Sequence, residues 1–179
     1  RWRAKRSQST DTAGLPEPLA NSPASTEPES SPFVVDNPAG DGQVPAALLP
    51  GTGRGYFVQV VGESHYQDAL RAVQAESGSE EEQSVILLPE PENPYDQKAV
   101  AITTFHGDKI GHLAREEAAR YQPTLLELQR RGLVSVCAAR FRWARGDKHN
   151  IGVYLDLEGP MAVAAEFGVK YQRQKQQRR

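Results

Sequence analysis

The chain has 179 residues, enough for one domain of ordinary size and some tail, with 21 basic and 23 acidic side chains. Its net charge of −2 excludes a general duplex-coating protein, whose affinity comes from many neutralised phosphates. A single cysteine, Cys137, excludes an intramolecular disulfide framework and a four-cysteine zinc site.

Residues 1–54 read as a disordered Pro/Ser-rich tail. Eight of the 13 prolines fall in the first fifty positions, and the one strongly apolar patch there is Phe33-Val34-Val35. Such a stretch cannot bury enough surface to offset an ordering cost of roughly 1–2 kcal/mol per backbone residue. The chain opens on Arg1-Trp2-Arg3-Ala4-Lys5-Arg6, lacks an initiator methionine and reads as a fragment. That hexamer reads either as a solvated tail or as the flank of a membrane helix outside the fragment. No apolar stretch in the sequence approaches the ~20 residues of a membrane span. Gly51-Thr52-Gly53-Arg54-Gly55 precedes a strand and lacks the Gly-Lys-Ser/Thr of a phosphate loop, so it reads as a flexible hinge.

Residues 55–158 carry the fold. Tyr56–Val61 is β-branched and aromatic, as a first strand should be, and Gly62 stops it. Tyr66, Ala69, Leu70 and Val73 follow helical spacing, and residues 76–83 form an acidic loop. Residues 84–88 and 99–103 read as strands on either side of a proline-rich loop, and residues 109–113 form a hairpin with the second of them. Residues 115–129 read as a helix that Pro123 breaks. Two longer strands, 133–143 and 150–157, are joined through Gly146-Asp147. The pattern predicts a mainly β fold with short helices, a small six-stranded barrel of the OB or SH3 kind. Residues 159–179 read as a polar, basic C-terminal tail that either extends a helix from Met161 or is disordered. Cys137 lies in the apolar run 133–138 and reads as a buried, inert thiol. A reducing, cytoplasmic setting fits it.

No two of His65, His106, His112 and His149 have the spacing of a helical ligand pair, so no metal or other cofactor is expected. Ser64, His65 and Asp96 lack a nucleophile elbow, and no catalysis is expected. The informative segment is Glu90–Val100. Prolines 91 and 94 fix its backbone and so lower the ordering cost of binding. Asn93 offers donors and acceptors, Tyr95 an aromatic face, and Asp96 an ionised acceptor. The residues alone favour the plainer reading, an Asx turn closed by Asn93 and Asp96 with Tyr95 packed inward. In Arg140-Phe141-Arg142-Trp143, strand alternation puts the two arginines on one face. That face is either solvated or a phosphate-tracking edge.

Four separated motifs carry a resemblance: residues 60–66, 85–90 and 93–100, then Ile110-Gly111-His112-Leu113 with Ala118. In order and spacing they resemble the HIRAN domain, over residues 56 to 158. The resemblance implies an OB-like barrel that grips the 3′-hydroxyl end of single-stranded DNA. By position, Tyr95 would stack on a terminal base, Asp96 would accept from the 3′-hydroxyl and Asn93 would contact the base. His112 and Arg115 would lie near the backbone, and His65 and Tyr66 would supply rings. Ser64 stands where the family carries a positive charge, which implies weaker phosphate affinity. Single-stranded DNA is thus the favoured partner, with Arg140 and Arg142 as candidate phosphate contacts and no small-molecule substrate. The alternative is a protein-interaction adaptor that keeps the barrel without end binding, and the tails could also reach a protein partner.

Overall fold

Among the described residues there are eight strands and three α-helices: the six strands read from the sequence and two more upstream. The computed structural model describes residues 34–36, 42–77, 82–143 and 150–171, all within the unit Ser31–Arg179. The elements are β1 (Val34–Asp36), β2 (Gln43–Leu48), β3 (Val58–Val61), α1 (Gln67–Ser77), β4 (Glu82–Pro89), β5 (Val100–Thr103), β6 (Lys109–Leu113), α2 (Arg115–Arg130), β7 (Val134–Trp143), β8 (Ile151–Asp156) and α3 (Pro160–Glu166). A 3₁₀ turn, Glu63–His65, joins β3 to α1.

The neighbour order β7-β4-β5-β6-β3-β8 closes because β7 also pairs with β8. The mainly β, six-stranded barrel expected from the sequence is therefore the fold observed. Alternation in β8 is strict: Ile151, Val153 and Leu155 point inward and are buried. With Val60, Leu87, Ile102, Leu125 and Phe141 they form the main core. Cys137 is buried, and burial pushes its thiol pKa up, so it stays protonated and inert.

Three local expectations change. First, part of the expected tail is strand. β2 pairs in parallel with β7, Ala46 opposite Val134 and Leu48 opposite Val136, and sends Ala47 and Leu49 into the main core. Residues 1–33 and 37–41 of that tail lie outside the described residues. Second, the Gly51–Gly55 hinge is clamped: Asp156 accepts hydrogen bonds from the Thr52 N–H (2.7 Å), the Thr52 hydroxyl (2.7 Å) and the Gly53 N–H (3.2 Å). Third, α2 runs unbroken through Pro123. The ring removes one backbone donor, while Tyr121, Leu125 and Leu128 bury the same helix against the barrel. Of the two readings of the C-terminal segment, the helix is observed as α3, whose Val163 and Ala164 are buried, while residues 172–179 lie outside the described residues. The Arg131 guanidinium, at the end of α2, donates to the Phe167 carbonyl (2.8 Å) just after α3.

Among the described residues, no helix is long and apolar enough to cross a membrane.

A candidate nucleic-acid interface on the barrel wall

The loop between β4 and β5 is organised by its own side chains. Asn93 Oδ1 accepts from the N–H groups of Tyr95 (3.0 Å) and Asp96 (3.3 Å), and its amide nitrogen donates to Glu90 (2.9 Å). Asp96 Oδ1 accepts from the Lys98 N–H (2.9 Å). These Asx-type bonds fold the loop locally, and α2 fastens it from behind. The buried Gln122 amide donates to the carbonyls of Gln97 (2.6 Å) and Ala99 (3.3 Å).

The turn chemistry considered for this loop is therefore present, but Tyr95 does not pack inward. Its side chain is 92% exposed. A ring held outward on a pinned backbone offers a stacking platform at little ordering cost. Beside it, Arg115 Nε donates to Asp96 Oδ2 (2.9 Å). The Arg115 bond, aided by the Lys98 N–H, holds the Asp96 carboxyl below its ordinary range, so it is ionised and acceptor-only near neutrality.

Behind the loop sits a carboxylate hub. Glu90 receives Lys109 Nζ, the Asn93 amide and, at 3.3 Å, His112 Nε2. Partial burial works to raise its pKa, but the bonds from Lys109, Asn93 and His112 outweigh that and the net shift is downward. The His112 ring in turn faces Tyr66, with centroids 6.5 Å apart at 54°. Tyr66, His112, Glu90, Asn93, Asp96 and Arg115 thus form one connected chain of contacts, with Tyr95 projecting from it.

Gly111 makes this geometry possible. A Cβ there would lie 2.3 Å from Val60 Cγ1 and 2.9 Å from the Val61 carbonyl, at a φ of +154°. β6 could not approach β3 so closely with any larger residue.

His65 is exposed on the 3₁₀ turn, one residue before Tyr66. Arg140 and Arg142 project outward from β7 while Phe141 is buried, as alternation requires. They stand apart from the chain of contacts, over the rings of Tyr56 and Tyr154. His149 lies outside the described residues. Among the described residues, no three His, Cys, Asp or Glu side chains converge on a metal position.

Glu90 and Lys109 were missed as a pair because strict alternation sets Lys109 and His112 on opposite faces of β6. The pairing of β5 with β6 skips Ile110, placing Lys109 opposite Thr103 and His112 opposite Ala101. This bulge brings both cations to one side. The sequence carries no clear sign of it.

A model of the HIRAN domain matches residues 55–155. The chain belongs to the HIRAN domain family. A crystal structure of the HIRAN domain of human HLTF is similar at 21% identity, over 65% of this chain and 90% of that one, with a TM-score of 0.32. No curated protein matches the chain. HIRAN domains are nucleic-acid-binding modules, and the family match takes in both the Asn93–Asp96 loop and Gly111-His112-Leu113.

Proposed function

We propose that this HIRAN domain binds single-stranded DNA and captures its 3′-hydroxyl end, without catalysing a reaction. The observation that carries the reading is the exposed Tyr95 ring next to an ionised Asp96 fixed by Arg115. A terminal base stacks on Tyr95, and the free 3′-hydroxyl donates to Asp96. Each carboxylate oxygen has a second lone pair beyond its bond to Arg115 or Lys98. The guanidinium of Arg115 is largely exposed and meets the adjoining phosphate. Asn93, both ends of whose amide are engaged inside the loop, acts as a positioning residue rather than a base reader. Tyr66 and His112 form the floor beside the terminal nucleotide, and His65 lies at its edge.

The test is equilibrium binding of short strands that end in 3′-hydroxyl or in 3′-phosphate. A 3′-phosphate sets negative charge against Asp96 and should bind at least tenfold more weakly. Tyr95→Ala should lose about 1–3 kcal/mol of binding, one stacked base, while thermal stability stays unchanged because the ring is solvent-exposed. Equal affinity for the two ends would sink end capture. No binding to either strand at low salt would favour the protein-interaction alternative.

A further inference from the structure

Most arginines of this domain are neutralised locally. Arg71 pairs with Asp68, Arg115 with Asp96, Arg120 with Glu117, and Arg130 and Arg131 with Glu127. Arg140 and Arg142 on β7 differ. Among the described residues neither enters an ion pair. The Arg140 guanidinium lies 4.6 Å from the Tyr56 ring centroid, and that of Arg142 lies 5.8 Å from Tyr154. Arg140 Nε is buried with no hydrogen-bond partner there.

The acids nearest this wall keep their charge but spend their hydrogen bonds on other donors. Glu82 lies opposite Arg140 across the ladder, but its carboxylate accepts from the Tyr56 hydroxyl. Asp156, opposite Ala138, holds Thr52 and Gly53. Two ring-stacked guanidiniums with no direct ion pair among the described residues therefore stand on the outer wall. Stacking on a ring face leaves the N–H edges of a guanidinium free to meet an oxyanion.

The wall is continuous with the loop site. His112 is opposite Val61 on β3, Gln59 shares that face two residues earlier, and Gln59 is opposite Tyr154, itself opposite Arg140. Val61 and Gln59 are exposed. The path from His112 to Arg140 is three strand spacings and one two-residue step, on the order of 15–20 Å around the barrel.

We propose that the outer face of β7 and β8 is a second binding site, at which Arg140 and Arg142 hold two phosphates of a single strand whose end occupies the Tyr95–Asp96 loop. This inference rests on the end-binding reading and extends it along the strand by several nucleotides, within the range of small barrels that bind single strands.

Binding of 5-nucleotide and 15-nucleotide strands ending in 3′-hydroxyl separates the two ideas. The wild-type chain should bind the longer strand more tightly and with a steeper salt dependence. The double variant Arg140→Gln/Arg142→Gln should bind the 5-mer like wild type and lose the gain with length. Its log–log salt slope for the 15-mer should fall by about 1.4, or 0.7 for each lost phosphate. Between ~50 and ~200 mM salt, wild-type affinity should then drop about sevenfold more than that of the variant.

An unchanged slope, or no gain with length in the wild type, overturns the second site and leaves end binding standing. Indifference to the 3′ group with length dependence intact overturns end binding instead. The single variant Arg142→Gln, at the more exposed position, should show half the slope change. It serves if loss of the Arg140–Tyr56 stack unfolds the double variant.

Discussion

At the scale of single residues, the site rests on Glu90, a partly buried carboxylate with three donors. Its folded pKa lies below the ordinary value of 4.5, so the ionised form stabilises the fold. That contribution is complete above about pH 4.5 and is lost as pH falls through the depressed folded value. Glu90→Gln sets an amide N–H₂ against Lys109 or Asn93 and should cost about 1–3 kcal/mol at pH 7. Urea unfolding at pH 7 and pH 3.5 checks this: the difference between wild type and variant should shrink at the lower pH. An equal difference at both values would contradict the role assigned to the carboxylate. The loop residues around it were legible from sequence because prolines and Asx chemistry act locally. Glu90's pairing with Lys109 was not, since it depends on a bulge defined by the partner strand.

At the scale of elements, the loop site depends on α2 as much as on the strands. α2 supplies Arg115 at its first turn and, two turns on, Gln122, which holds the Gln97 and Ala99 carbonyls. The sequence identified the helix, with its acidic first turn, but not its continuity. Pro123 misled because a single missing donor weighs less than the packing of Tyr121, Leu125 and Leu128. Gln122→Ala leaves the two carbonyls without this donor and should destabilise the chain by about 1–2 kcal/mol. It should also speed hydrogen exchange at the Tyr95, Asp96 and Lys98 amides, which the Asn93 and Asp96 side chains protect. Exchange there at the wild-type rate, with the global loss present, would mean that the loop holds itself without α2.

At the scale of the whole molecule, the six barrel strands were legible because each is an apolar or alternating run bounded by turn residues. The upstream ribbon was not. β2 reads Gln-Val-Pro-Ala-Ala-Leu, weak in strand propensity, and becomes strand by pairing with β7, nearly ninety positions later in the chain. Although the family match begins at residue 55, the barrel's seam is completed by residues before it. β2 lies along Val134–Val136, below the stretch of β7 that pairs with β8. Leu49 donates to the Val136 carbonyl (2.7 Å), and Glu158 donates to that of Pro50 (2.8 Å). A chain shortened to residues 55–179 forfeits Ala47 and Leu49 from the main core, uncovers Val136 and strips Asp156 of its three donors. These losses sum to at least about 3 kcal/mol, a large share of the stability of a small domain. Urea unfolding followed by circular dichroism should therefore place the midpoint of 55–179 well below that of 31–179. Equal midpoints for the two fragments would show that the barrel closes without β2, and the folded unit would then begin where the family match does.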